Sequence, residues 1–389
     1  MAKALGIDPG TKSMDLFGFD DSTDEIFLDE AVPRDEVTTR PRVVLDIVRE
    51  AVRRYGSIDA IVGPSGYGLP LKMAREASES DIMLATFVSQ SDARRRLKII
   101  GLRELMLLMR RAEDLNVWFT PGIIHLPTVP DHRKINRIDM GTADKLFSVV
   151  LAVKDQAERR NIDYEETSFI LVEVGFAYTA AVAVDKGRVI DGVGGTVGGA
   201  GYLGMGGMDA ELAYALANAA SNFSKLLLFS GGVAHVGHID PYAISPEEFV
   251  KLAKRNEKVS AAYEAMLEAI LKDVAVLLAT LRNPGEIILS GRFVRVPDFL
   301  ADLKDRLKGF LGKLVGEVSV EILGRRAKNV KEGAEGAAVL ANGIAGGRYS
   351  RLVDVMRLRE SRGTIFDHIY LEKTLVQRLK EIYSQTPQP

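Results

Sequence analysis

One order of elements occurs twice in this chain, and it constrains the fold more than any single motif. Leu5–Asp8 is a short apolar strand, followed by the turn Pro9-Gly10-Thr11-Lys12-Ser13. Leu16–Phe19 reads as a second strand, and Glu25–Ala31 alternates in the period of a third. Arg42–Tyr55 is helical: Val43, Ile47, Ala51 and Tyr55 recur every four residues, and Gly56 follows as a stop. Ile58–Val62 closes the set as another strand. The series restarts at Phe169. Strands Phe169–Val174, Tyr178–Val184 and Arg188–Asp191 precede the strongly helical Tyr263–Leu281 and the buried strand Glu286–Leu289. Two copies of strand-hairpin-strand, helix, strand predict a duplicated α/β architecture with a cleft between the copies. Ligands in open α/β sheets sit at the carboxyl ends of the strands, so the turns after Asp8 and Glu173 and the segment Ser290-Gly291 are expected to face that cleft.

Composition excludes several chemistries. The chain has 389 residues and no cysteine. Disulfides, iron–sulfur clusters, thiolate zinc sites and a cysteine nucleophile are therefore ruled out. A formal net charge of −2 argues against a dedicated nucleic-acid binder. No apolar run approaches the ~20 residues of a membrane span. The opening residues run into a strand with no signal-peptide layout, and a cytoplasmic location is expected. The glycines are unevenly placed: nine of them fall between Gly192 and Gly207. That cluster lacks the spacing of a dinucleotide loop or of a Gly-Lys-Ser/Thr phosphate loop. It is either a ligand-facing mobile loop whose backbone N–H groups meet phosphate, or a close crossing of backbones.

This layout and its motifs resemble the superfamily of actin, heat-shock chaperones, sugar kinases and acetate kinases. The segments that carry the resemblance are Leu5-Gly-Ile-Asp-Pro-Gly-Thr-Lys-Ser13, Asp139-Met-Gly-Thr-Ala-Asp-Lys145, Phe169-Ile-Leu-Val-Glu-Val-Gly175, Ile287-Ile-Leu-Ser-Gly-Arg292 and Lys331-Glu-Gly-Ala-Glu-Gly-Ala-Ala338. Within it the chain is most similar to butyrate kinase, on Ile58–Gly63, Ala180–Asp191, Tyr263–Met266 and Glu335–Ala338. It looks like a member of an archaeal family of predicted butyrate kinases. The region from about Leu69 to Arg137 matches poorly. The resemblance implies two ribonuclease-H-like (actin-like ATPase) domains with mixed sheets flanked by helices, at 1–140 and 141–350. A helical tail at 351–389 follows.

It also implies ATP and Mg²⁺ as cofactors. Asp8 would hold Mg²⁺, since that ion favours one or two carboxylates plus phosphate oxygens. Gly10 would admit a phosphate, with Thr11 and Lys12 donating to it. Glu173 and Gly175 take the equivalent place in the second half, Glu173 serving as a further carboxylate for metal or water. Asp139 and Asp144 flank the start of the helix Thr142–Arg160. They are either catalytic carboxylates or a helix cap and first-turn charge, and the sequence leaves both open. Ser290, Gly291 and Arg292 would meet adenosine. Two departures stand out. Acid kinases carry a histidine in the second phosphate strand, where this chain has Glu173-Val-Gly-Phe-Ala177. They carry a lysine after the first Ser/Thr run, where Asp15 stands here. Lys12 is the candidate replacement cation.

Other constellations are weaker. His235 and His238 read as surface histidines, Ser65 as a loop residue, and His125 and His132 fall in a proline-rich stretch. Arg133 and Arg137 are candidates for an acceptor carboxylate, and Arg94–Lys98 reads as a solvated basic helix face. The expected function is an ATP-dependent phosphotransferase of the acetate/butyrate kinase type. Its acceptor would be a small molecule such as a short-chain carboxylate, with no nucleic-acid or membrane partner. A homodimer stays open. The alternative is a nucleotide-dependent switch or assembly ATPase without a small acceptor.

Overall fold

A computed structural model describes residues 1–94, 100–219 and 223–385. The basic run at 94–98 therefore lies almost wholly outside the described residues. The chain forms two compact units. The first comprises 1–167, 186–189 and 324–389, and the second 168–185 and 190–323. The boundary expected at 140 falls inside the first unit. The reason is local packing: helix α2 (Ala143–Arg160) and helix α5 (Glu332–Ile344) lie against each other.

The first unit is built on strands β1 (Lys3–Pro9), β2 (Ser13–Asp20), β3 (Ile26–Pro33), β4 (Ala60–Val62), β5 (Lys72–Met73) and β6 (Val117–Phe119). Their spatial order is β3-β2-β1-β4-β6-β5. β1 pairs antiparallel with β2 and parallel with β4. As a central strand it is apolar and buried through its middle, Ala4 to Ile7, between Lys3 at its start and Asp8 near its end. Helix α1 (Arg42–Tyr55) buries Val44 and Val48 against this sheet's core cluster and stops at Gly56. α5 covers β1, and every one of its 13 residues is buried. Its sequence, EGAEGAAVLANGI, is short-chained because backbones meet there. A Cβ on Gly6 would come within 2.2 Å of the Ala338 nitrogen, and one on Gly336 within 1.9 Å of the Phe147 oxygen in α2.

The second unit is built on β7 (Ser168–Val174), β8 (Thr179–Asp185), β9 (Arg188–Val193), β10 (Glu286–Ser290) and β11 (Ser319–Ile322), in the order β11-β10-β7-β8-β9. β9 begins in residues that cluster with the first unit. β7 pairs antiparallel with β8 and parallel with β10. Helix α3 (Glu257–Leu278) and helix α4 (Pro297–Leu314) supply the apolar stripes that cover it, including Met266, Ile270, Leu303 and Leu307. Both sheets thus carry one hairpin-linked strand trio extended by two parallel strands, and in the first sheet the short β5 adds antiparallel to β6 at the edge. The result is an α/β fold of two mixed sheets flanked by helices.

Candidate functional site

The carboxyl end of β1 delivers Asp8 to the first turn of α5. The Asp8 carboxyl carbon lies 2.8 Å from where a Cβ on Gly333 would stand, so a side chain there would displace that carboxyl group. Asp8 is nearly buried, and its partner is Lys331, the N-cap residue of α5, whose Nζ donates to Asp8 Oδ2 at 2.8 Å. The same Nζ lies 3.5 Å from Asp15 Oδ2, and the Lys331 backbone N–H donates to that oxygen at 3.1 Å. Asp15 Oδ1 is buried and has no hydrogen-bond partner among the described residues. A Cβ on Gly10 would lie 2.2 Å from Lys331 Nζ. The open face of Gly10 therefore receives an ammonium group.

A third carboxylate completes the cluster. Asp144, in the first turn of α2, accepts from Lys145 Nζ at 2.8 Å and from the Thr142 hydroxyl. Burial raises the Asp8 carboxyl to about 6, partly offset by Lys331 and reinforced by Asp144 and Asp15. Burial also opposes ionisation of Asp144, but Lys145 and Thr142 outweigh it and its pKa is lowered. Arg34 is buried nearby. Desolvation brings its guanidinium down to about 10, and the charge of Asp8 holds it up. Asp139 plays a different part: its Oδ1 accepts from the Gly141 N–H and closes the turn before α2. Thr11 is exposed and Lys12 half-buried at the tip of the β1–β2 turn.

In the second unit, Glu173 and Ser290 are register partners at the carboxyl ends of β7 and β10. Glu173 is half-buried. Ser290 is fully buried, with its Oγ unpartnered among the described residues, so its hydroxyl lies under the turn. Gly291 adopts φ +93°, and a Cβ there would lie 2.5 Å from the Val174 oxygen. Gly175 donates its N–H to the Tyr178 oxygen at 3.0 Å. Arg292 is half-buried and leads into the short 3₁₀ turn Phe293–Arg295. The glycine cluster is a close crossing of backbones. Gly198, Gly201, Gly204 and Gly207 donate their N–H groups to carbonyls of Gly194, Gly204, Ala177 and Gly198. Gly199 donates to the buried carboxylate of Asp273 on α3. Those N–H groups are engaged inside the unit.

The weaker candidates separate as well. Ser65 fixes loops, donating to the Gly63 oxygen and accepting from the Thr120 N–H at 3.0 Å each. His125 is buried, lies 3.3 Å from the Gly122 oxygen and is pushed down to about 4 by burial. His235 and His238 are exposed. His235 lines an open pocket of about 430 Å³ with Leu203, Phe229, Ile239, Asp240 and Tyr242. Among the described residues, no group of three or more His, Asp or Glu side chains is placed to hold a metal ion. Mg²⁺ at Asp8 would accordingly draw most of its ligands from water and phosphate, as that ion commonly does. No helix among those residues is long and apolar enough to cross a membrane.

A family model described as a protein of unknown function, DUF1464, matches residues 6–371. The chain belongs to this family. No curated protein matches it. Solved structures share its fold at low identity. A propionate kinase from Francisella tularensis subsp. tularensis SCHU S4 superposes with a TM-score of 0.61 at 13% identity, covering 87% of this chain and 98% of that one. An acetate kinase from Porphyromonas gingivalis gives 0.57 at 14%, covering 87% and 98%. The acetate kinase from Entamoeba histolytica gives 0.56 at 11%, covering 83% and 96%. The likeness is one of fold.

Asp8 and Asp144 thus come together, and the cluster includes residues that sequence reasoning did not single out. Arg34 carried no signal, because it stands in a short charged helix of ordinary composition. Lys331 lay inside a recognised motif, but its charge had no visible counterpart until Asp15 was seen beside it.

Proposed function

We propose that this family member is an ATP-dependent phosphotransferase of the acetate/butyrate kinase type, built on duplicated ribonuclease-H-like units. Its acceptor is a small molecule, a short-chain carboxylate in the first instance. The observation that supports this is the gathering of Asp8, Asp15 and Asp144 with Lys331, Lys145 and Arg34 at one strand end and two helix N-termini. Buried carboxylates interleaved with cations suit a site that binds phosphate and a divalent ion.

On this reading Asp8 faces Mg²⁺, and Gly10, Thr11 and Lys12 face the phosphates. Gly291 and Arg292 present the adenosine-facing surface, with Ser290 beneath them. Glu173 and Gly175 serve the second phosphate turn. Asp144 orients metal-bound water, and Asp139 holds the turn that places it. Mg²⁺, when bound, supplies neutralisation of phosphate charge. Phosphoryl transfer depends chiefly on such positioning and charge compensation. A carboxylate acceptor is already a nucleophilic anion and needs no general base.

The test is ADP release with butyrate, propionate or acetate, alongside trapping of the acyl phosphate as a hydroxamate. Acceptor-dependent ADP release with trapped product supports the kinase. One observation favours the nucleotide-switch reading, namely Glu173 where acid kinases have histidine. Acceptor-independent hydrolysis without acyl phosphate would select it. No thermal stabilisation by millimolar Mg·ATP would remove both.

A further inference from the structure

The first turn has a carboxylate, Asp15, where the acid-kinase pattern has a cation. A phosphate approaching Gly10 would meet net negative charge if nothing else stood there. The structure brings a cation to this place from the other end of the sequence. Lys331 reaches both carboxylates, 2.8 Å from Asp8 and 3.5 Å from Asp15, and its ammonium fills the space that the missing Gly10 side chain leaves open. Its backbone is held as well. The Lys331 N–H donates to Asp15, and the N–H groups of Lys328, Asn329 and Val330 donate to the Asp29 carboxylate. The side chain is 27% exposed, whereas those of Asp8 and Asp15 are 7% and 2% exposed. Of the three groups, the ammonium is the one open to solvent. The N-terminus of α5 adds a partial positive charge to the same spot.

The geometry points to Lys331 as the phosphate-facing cation of this site. Without ligand it is the resident counter-ion of Asp8 and Asp15. With nucleotide bound it turns to a phosphate oxygen and leaves Asp8 open to the divalent ion. This inference rests on the nucleotide-binding reading above. It makes Lys331 a binding residue of that site, supplied by tertiary contact in place of the first-turn lysine. It also predicts that a divalent ion and Lys331 compete for Asp8 when no nucleotide is present.

The competition is measured on the full chain without nucleotide, by titrating Mn²⁺ and following free Mn²⁺ by electron paramagnetic resonance. Removal of a unit charge beside two carboxylates in Lys331→Ala should tighten Mn²⁺ binding about tenfold or more. The gain should vanish in the Asp8→Asn, Lys331→Ala double variant. Unchanged Mn²⁺ affinity in Lys331→Ala, or a gain that survives in the double variant, overturns the assignment. Lys331→Gln keeps most of the side-chain length and gives the same readout if the alanine variant folds poorly. The phosphate half is read by calorimetry with ATP in EDTA. Either variant should lose about tenfold in affinity, the scale of one charge-assisted bond. Equal binding by parent and variant overturns it. Failure of the nucleotide reading looks different: the parent then binds no ATP with or without Mg²⁺. That result also overturns the hand-over to phosphate, while the Mn²⁺ titration still decides the pairing with Asp8.

Discussion

Asp29 holds Asn329 from both ends of its residue. The Asp29 carboxylate accepts from the Asn329 backbone N–H at 3.0 Å, and its carbonyl accepts from the Asn329 side chain at 3.1 Å. The neighbouring N–H groups of Lys328 and Val330 converge on the same carboxylate at 2.7 and 3.0 Å. A hairpin strand of the first 33 residues thereby sets the loop that delivers Lys331. Asp29→Ala should lower stability by about 1–3 kcal/mol, the range for losing hydrogen bonds to a charged group. Amide exchange should accelerate at 326–331 and stay unchanged in β7 and β10. Hydrogen exchange with mass spectrometry checks both.

Asp8 is the carboxylate on which the metal assignment turns. Asp8→Ala should reduce nucleotide-dependent turnover by about 10²-fold or more, as expected for a group that organises charge at the transferring phosphoryl. Steady-state ADP release measures it. A variant with full activity would refute the assignment. Asp144→Asn tests the neighbouring group and should lower kcat more than it raises KM, because ordering of water matters most in the transition state.

The crossing of α2, α5 and β1 tolerates no added methyl. Gly336→Ala would drive a carbon to 1.9 Å from the Phe147 oxygen, backbone against backbone. Overpacking of this kind costs about 1–3 kcal/mol and displaces both helix N-termini. The expected result is a lower melting temperature with weakened nucleotide binding. Gly309→Ala, inside α4 with nothing within 4 Å, should leave nucleotide binding unchanged and raise the melting temperature slightly, since alanine is the better helix former by about 1 kcal/mol. Parallel thermal melts decide it.

Asp273 is buried in the second unit, and among the described residues its carboxylate accepts from the Gly199 N–H. Burial raises its carboxyl to about 6, against an ordinary value of 3.8. The folded state therefore binds more protons than the unfolded state between these values, and stability falls as pH rises through that window. The full difference is about 3 kcal/mol. Asp273→Asn keeps the acceptor and loses the charge. It should unfold at higher urea than the parent at pH 7.5, with the gap closing towards pH 4. A gap independent of pH would contradict this.

The elements that local chemistry controls are legible from the residues alone. Arg42–Tyr55 shows its stripe and its stopping glycine, and it is a helix over that same range. The strand–turn–strand around Gly10 and the hairpin at Asp185-Lys186-Gly187 are also where the pattern puts them. The apolar run that starts at Val117 is a strand only to Phe119. Pro121 and Gly122 break it, and Ile123–His125 is a 3₁₀ turn. The helix expected over Tyr263–Leu281 begins earlier, at Glu257, because Asn256 accepts from the Val259 N–H at its start, and it ends at Leu278, three residues short of Leu281. The glycine cluster was readable as a composition but not as a conformation, since its partners, Asp273 and Ala177, lie outside it.

Hydrophobic period, turn residues and the doubled order of elements are properties of neighbours along the chain, and they suffice for an α/β fold with carboxylates at its strand ends. Charge balance at the site is not such a property. Asp15 and Lys331 are 316 residues apart, and neither has a local pattern that names the other. They meet because small residues let α5 settle onto β1 with its N-terminus at Asp8. A lysine that reads as one more helix-start residue becomes, through that contact, the cation of the first turn.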